Sequence, residues 1–235
     1  MHRFYIPYPI ENPCTLSEDE SRHCIKVLRL ETGSAVELTD GQGGLYQAVI
    51  AEPSAKACTL KITATHKESP SVYQLHIAVA PTKNLARMEW LVEKLTEIGI
   101  AEFIPFTGAH SERKVMKTER LKKIAVESMK QSGRTYLPAV KELIPFASML
   151  KTAAHFTGQK FILHCTADAQ NTFARKYYKG QNAFALIGPE GDFSLPEIKE
   201  AEAHGFIPIS LGATRYRTET AALVAACALH LLNTT

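Results

Sequence analysis

The rhythm of apolar and polar positions changes near Pro70. Before it, the runs are short and mostly alternating. Phe4 to Tyr8 is short and aromatic, while Ala35 to Thr39 and Leu45 to Ala51 flank Asp40-Gly41-Gln42-Gly43-Gly44. Two such runs around a glycine-rich connection predict a hairpin. Thr59 to Thr63 alternates polar and apolar, as a half-buried strand does. Ser17 and Glu20 have capping-box spacing, which predicts one helix from Ser17 to Leu28. Short strands with little helix predict a small β-barrel. Glu68-Ser69-Pro70-Ser71 marks the boundary, because Pro and Ser favour a break in regular structure.

From Tyr73 strands and helices alternate, which predicts an α/β domain with a mainly parallel sheet. Leu75 to Ala80 is a near-continuous apolar strand, as expected when both faces are covered. Leu85, Met88, Val92, Leu95 and Ile98 fall at helical spacing between Asn84 and Ile98, and Gly99 closes that helix. A strand from Ala101 to Phe106, a helix from Glu119 to Ser132 and a buried-type strand from Phe161 to Cys165 follow. Two strand–loop–helix units end the chain. Ala183 to Ile187 breaks into Gly188-Pro189-Glu190-Gly191, and Phe206 to Leu211 breaks into Gly212 and the stretch Arg215 to Thr220. The last helix, Thr220 to Leu232, is apolar on nearly every side, which predicts deep burial.

Composition narrows the class. At 235 residues, 45% hydrophobic and 22% charged, the chain can bury a real core. No run reaches the ~18 apolar residues of a membrane span, and MHRFYIPYPI lacks the parts of a signal peptide. Five cysteines without a CxxC pair fit reduced thiols in a cytoplasmic protein, and none of the nine histidines has metal-ligand spacing from a cysteine. No metal site and no membrane partner are expected. The net charge of +3 is unevenly spread: residues 110–134 hold eight Lys or Arg against three Glu. Such a segment meets phosphates or forms a solvated helix face, and the sequence leaves both open.

The loops exclude familiar answers. Gly188-Pro189-Glu190-Gly191 is neither G-x-G-x-x-G nor a P-loop. Its place after a strand is still where open α/β sheets bind ligands. Ser194 and Glu197 cap the next helix, which leaves its N–H groups less available to a phosphate. A ligand read by backbone groups fits better than a polyphosphate, and an ordinary tight turn is the plain alternative. Arg215, Arg217 and Glu219 at the mouth of an apolar helix are costly unless they are paired or face a ligand, and structural ion pairing among Arg217, Glu219 and Glu190 is the plain alternative.

Together these stretches resemble the 16S ribosomal RNA uracil-N3 methyltransferase family of the SPOUT superfamily. His23 with Val27-Leu28-Arg29 is similar to its H-x-x-x-V-L-R, and Lys94 to Gly99 to its K-x-x-E-L-G helix end. Gln131-Ser132-Gly133-Arg134 with Pro138 resembles E-Q-S-x-R…P. Ile187 to Gly191, and Leu211-Gly212 with Arg217 to Ala221, resemble its two ligand loops. The departures are Asp192 for the last glycine of I-G-P-E-G-G, Lys130 for the glutamate of E-Q-S, and Thr214 for the first arginine of L-G-P-R, with Arg215 one place later.

The resemblance implies a PUA-like β-barrel over residues 1–70 that holds RNA, and a SPOUT methyltransferase domain over 71–235 with a deep trefoil knot. The residues alone predict an unknotted sheet. It further implies a homodimer acting on 16S rRNA or the small ribosomal subunit, with S-adenosylmethionine as cofactor. His164, Ile187, Gly188, Pro189, Glu190, Gly191, Leu211, Gly212, Tyr216 and Thr218 would hold the cofactor. Arg217, Glu190, Glu219 and Arg134 would be catalytic, and Arg22, Lys26, Arg29, Arg113 and Lys114 would meet RNA. Methylation of another RNA base, or a non-catalytic RNA-binding or ribosome-assembly role on the same fold, are the alternatives.

Overall fold

The computed structural model describes residues 1–234. Two compact units emerge: Met1–Pro70 together with Val126–Leu137, and Ser71–Ala125 together with the chain from Pro138 onward.

The first unit contains β1 (Arg3–Tyr5), β2 (Cys14–Thr15), α1 (Glu18–Arg22), β3 (Ala35–Thr39), β4 (Gly44–Glu52) and β5 (Thr59–Lys67). They form one sheet in the order β1-β3-β4-β5-β2, in which β1 runs parallel to β3 and the other pairs are antiparallel. Register breaks at Gln47/Ala48 and Ile50/Glu52, as bulges bend a sheet. Phe4, Leu16, Val36, Leu38, Ile50 and Leu60 make its core. Val126–Leu137 groups with this unit because Gly43 N–H donates to Thr135 O, Leu137 N–H donates to Gly41 O, and Thr135 Oγ1 donates to Glu68.

Helical backbone covers the predicted range from Ser17 to Leu28, but only its first part, Glu18–Arg22, is α-helix. Ser17 caps α1 by accepting from Glu20 N–H, but the reciprocal half of the capping box is missing. The Glu20 carboxylate instead pairs with half-buried Lys130 at 2.7 Å. After Arg22 the backbone widens into a π-helical turn, His23–Val27, and Arg29 then takes φ 55°. Both are uncommon for such residues and recur at functional positions.

The second unit runs β6 (Leu75–Val79), α2 (Leu85–Ile98), β7 (Glu102–Thr107), α3 (Thr118–Ser132, its later half grouped with the first unit), β8 (Ala139–Val140), β9 (Ile144–Pro145), α4 (Phe146–Ala154), β10 (Gln159–Leu163), α5 (Phe173–Lys176), β11 (Ala183–Ile187), α6 (Leu195–Ala203), β12 (Phe206–Ile209) and α7 (Thr218–Thr234). The sheet is parallel, in the order β12-β10-β11-β6-β7-β8, with β9 beside β7. Central β11 is buried at every residue, as a strand covered on both faces must be. Phe106, Phe146, Phe184, Phe193 and Phe206 fill the layer on one side.

Local signals explain the helix ends. Asn84 accepts from Ala86 N–H to start α2, and Gly99 closes it at φ 91°. Ser194 and Glu197 form a complete capping box on α6. The last helix differs from expectation. Ala222, Ala225, Ala226 and Leu229 of α7 are buried, and the helix packs on α2, β6 and β11. Its opposite face is not covered: Leu223, Val224 and Cys227 are half-buried, and Leu231 is exposed. Apolar composition all round thus reflects two different faces. Among the described residues no helix is long and apolar enough to cross a membrane.

Candidate functional site

Parallel topology brings the carboxyl ends of β10, β11 and β12 side by side, and the three loops that follow them wall a cavity of about 380 Å³. That volume suits a small organic ligand. Leu163, His164 and Cys165 come from the first loop, Ile187 to Glu190 and Asp192 from the second, and Ile209 to Gly212 and Thr214 to Thr218 from the third. Arg87, from the first turn of α2, and Ala221 of α7 complete the wall.

Glycine is needed in this wall for two separate reasons. A Cβ on Gly188 would sit 2.9 Å from the Phe193 ring. Gly212 has φ 100° with open space where its Cβ would be, so its requirement is backbone conformation alone. Thr218 Oγ1 donates to Gly188 O at 3.2 Å, joining the start of α7 to the second loop.

Asp192, the residue that departs from the glycine-rich pattern, adopts the left-handed conformation at φ 63°. Asp tolerates that region better than most side chains. Its carboxylate accepts from Cys165 N–H at 2.9 Å and from Phe193 N–H at 2.8 Å, and its carbonyl accepts from His110 Nδ1 at 3.0 Å. One residue therefore ties three loops together, and a glycine in its place would keep the carbonyl contact to His110 but lose both carboxylate contacts.

The cavity chemistry is set by burial. Burial pushes the His164 imidazole below its ordinary pKa, against the opposing charges of Asp192 and Glu202. Its Nδ1 meets Thr166 Oγ1 at 2.9 Å, and its buried Nε2 meets no partner among the described residues. Burial, then the Asp192 carboxylate, pushes the Cys165 thiol up, so it stays protonated near neutrality.

The charged residues pair differently from the Arg217–Glu219–Glu190 arrangement considered from sequence. Arg87 takes both carboxylates: its Nη1 lies 3.7 Å from Glu190 Oε1 and its Nε lies 3.6 Å from Glu219 Oε1. The other oxygen of Glu219, Oε2, is buried without a partner among the described residues. Arg217 is exposed at the cavity wall and makes no ion pair among the described residues, while Arg215 Nη2 donates to Glu190 O at 3.5 Å. The physical reason is geometric. Helix α2 packs on α7, and this packing brings Arg87 of its first turn to Glu219 and Glu190.

Of the residues singled out from sequence, His164, Ile187, Gly188, Pro189, Glu190, Leu211, Gly212, Tyr216, Arg217 and Thr218 line the cavity. Gly191 does not; a Cβ there would meet His110 at 3.0 Å. Glu219 lies behind the wall. Arg22, Lys26, Arg29 and Arg134 belong to the first unit, where Arg22 pairs with Glu18 and Lys26 and Arg29 are exposed. Arg113 is spent on structure, donating to Thr82 O and Lys83 O, and beside it Lys114 is exposed. Among the described residues no His, Cys, Asp and Glu side chains gather as a metal-ligand set.

Sequence reasoning missed Arg87, Cys165, Asp192 and Thr214. One signal for Arg87 was available: a cation in the first turn of a helix opposes the helix dipole, so it needs a partner elsewhere.

A parallel α/β unit with a loop-walled cavity at its strand ends, in a chain that also carries a β-rich unit, defines the class as an α/β protein built to bind a small ligand. A family model for an RNA methyltransferase domain matches residues 67–230, and one for an RNA methyltransferase PUA domain matches residues 16–63. The chain belongs to this RNA methyltransferase family. It is 30% identical to the ribosomal RNA small subunit methyltransferase E of Synechocystis sp., over 95% of this chain and 74% of the relative. The structure also resembles a "probable rRNA-methyltransferase" from Porphyromonas gingivalis, with 37% identity, a TM-score of 0.90, and 100% and 99% of the two chains covered. A protein of Legionella pneumophila assigned as a methyltransferase and solved with the bound cofactor SAM matches at 27% identity and TM-score 0.88, over 98% and 97% of the chains.

Proposed function

We propose that this protein uses S-adenosylmethionine to methylate N3 of a specific uridine in the 16S ribosomal RNA of the small subunit, in the cytoplasm. The observation that carries this reading is the cavity itself. Its walls combine apolar side chains, Leu163, Ile187, Pro189, Ile209 and Leu211, with backbone and with charged groups that include Arg87, Glu190 and Arg217. The cofactor fits two features in particular. Gly212 has open space where a Cβ would stand, which admits close approach, and the orphaned His164 Nε2 offers a hydrogen bond to a ligand.

When bound, S-adenosylmethionine supplies a methyl group already activated on sulfonium. The residues at the edge then manage the uracil. Transfer makes an N3–methyl bond, breaks the carbon–sulfur bond and releases the N3 proton. Arg217, exposed and without an ion pair, stabilises negative charge developing on a uracil carbonyl oxygen. Glu190 or Glu219 accepts the proton, directly or through water. His164, neutral at working pH, Ile187 to Pro189, Leu211, Gly212, Tyr216 and Thr218 orient the cofactor, with Gly191 shaping the loop.

Residues 1–70 serve as the PUA-like barrel that holds RNA, and 71–235 as a SPOUT-type domain whose C-terminal loops are drawn into a trefoil knot. The insertion of β11 between β6 and β10 is consistent with such a path. The π-helical turn and the left-handed Arg29 present Lys26 and Arg29 to solvent, which supports a phosphate-contacting role beside Arg22 and Lys114. Two chains associate through the uncovered apolar face of α7, with exposed Leu231, and nearby α2, with Trp90 42% exposed. Each site is then completed between protomers, where Arg134 meets the RNA.

The test is mass spectrometry of small-subunit RNA from cells lacking and then regaining the gene. The reading expects 3-methyluridine to vanish and return. An unchanged nucleoside profile would contradict it.

A further inference from the structure

Two carboxylates share a single guanidinium in the second unit, but they are not equivalent. The Glu219 side chain is 8% exposed, at the start of α7 and behind the cavity wall, whereas that of Glu190 is 37% exposed and lines the cavity. Arg87 reaches them through different nitrogens, Nε to Glu219 and Nη1 to Glu190. At 3.6 and 3.7 Å both contacts are ion pairs rather than hydrogen bonds, so it is charge, with the Glu219 end buried, that holds the guanidinium between the two carboxylates. Helix α7 packs directly on α2, so the buried contact joins two rigid elements. Glu190 stands instead on a loop, held otherwise by backbone contacts such as Arg215 to its carbonyl.

We propose that Arg87 is a positioning residue. Glu219 is the buried anchor, Arg87 the bridge, and Glu190 the positioned carboxylate that meets the substrate. This rests on the methyltransferase reading of the cavity and refines it, because it removes Glu219 from proton transfer and makes it the support of Glu190. It also accounts for a cation in the first turn of a helix, where the dipole disfavours one.

The direction of the relay can be read in the free protein by NMR. The Arg87 Nε–H resonance, identified by its loss in Arg87→Lys, is expected to be a single sharp line in the wild type, as an ordered guanidinium gives. It should broaden or exchange rapidly in Glu219→Gln and persist in Glu190→Gln. Persistence in Glu219→Gln, or loss in Glu190→Gln alone, overturns the relay whatever the protein methylates.

Steady-state transfer supplies the second readout. Arg87→Ala and Glu219→Gln are each expected to lower kcat by about tenfold, with KM for RNA changing less than about threefold, because orientation rather than binding is lost. The double variant should be no slower than the slower single, since both cut one connection. Arg87→Lys, which keeps the charge but lacks the planar fork, should restore only part of the rate. Multiplying effects, or a wild-type kcat in Arg87→Ala, overturn the proposal. Removing Arg87 leaves a buried carboxylate uncompensated and can cost the fold; near-isosteric Glu219→Gln then carries the test. A wild type with the expected NMR signature but no methyl transfer would sink the methyltransferase reading and leave the relay standing.

Discussion

Asp40 and Glu219 are both buried acids, one in each unit, and they are treated in opposite ways. Every direction around Asp40 is filled: it accepts from Gln42 N–H at 2.7 Å, Gly44 N–H at 2.8 Å and Tyr46 Oη at 3.0 Å, with Lys67 Nζ at 3.9 Å. Burial alone would push the Asp40 carboxyl up, but these donors together hold it below its ordinary value. Burial and the same hydrogen bond push Tyr46 up to about 12. Glu219 has one long ion pair and an oxygen with no donor among the described residues. A buried polar group that is fully satisfied holds a turn in place, whereas one left open needs another reason to exist. Near the cavity there are two such groups, Glu219 and His164.

The sharpest way to break this contrast is at Arg217. Arg217→Ala should lower methyl transfer about a hundredfold or more, as loss of a preorganised charge-stabilising group does. The thermal midpoint and cofactor affinity should stay near wild type, as measured by scanning calorimetry and titration. A large loss of stability instead would make Arg217 structural.

Asp40→Ala should do the reverse. Leaving several donors unmatched is expected to cost about 3 kcal/mol in denaturant unfolding, with cofactor binding unchanged. The sign with pH follows from the lowered folded pKa. Asp40 stabilises above its unfolded value, about 3.9, and that contribution is lost as pH falls through the lower folded value. Asp40→Asn should therefore flatten the acid limb of the stability curve.

A smaller effect is expected at Gly212, where an added Cβ meets nothing but φ is 100°. Gly212→Ala should cost about 1 kcal/mol through backbone strain alone. A much larger loss would reveal a clash that the open space excludes. The smallest effect concerns His164, whose folded pKa is lowered by burial. The unfolded chain takes the proton first, so stability should fall as pH drops below about 6.5 and level off once the folded imidazole titrates. His164→Asn should show a shallower fall over that window in thermal melts.

Much of the fold was legible because its signals are local. The all-apolar run Ala183 to Ile187 is β11, Gly99 closes α2, and Ser194 with Glu197 caps α6. Elements without such marks were not legible. Helix α4 starts after Pro145 with no side-chain cap, and nothing in the spacing announces that the helix over Ser17 to Leu28 widens to π geometry at His23–Val27. The cavity loops could be read from their glycines and strand-end position. Arg87 could not, because only the packing of α2 against α7 brings it to two carboxylates more than a hundred residues away. The face of α7 was misjudged for a related reason: apolar composition does not say which partner covers it.

The central claim, that the open groups of the second unit belong to a cofactor cavity, is tested most directly by calorimetric titration of the full chain with S-adenosylmethionine. Wild type is expected to bind one cofactor per chain, and Gly188→Val, which drives a side chain against core Phe193 and so displaces the loop that walls the cavity, should abolish the heat of binding while Asp40→Asn leaves it intact. No binding by the wild type, or undiminished binding by Gly188→Val, would contradict the account.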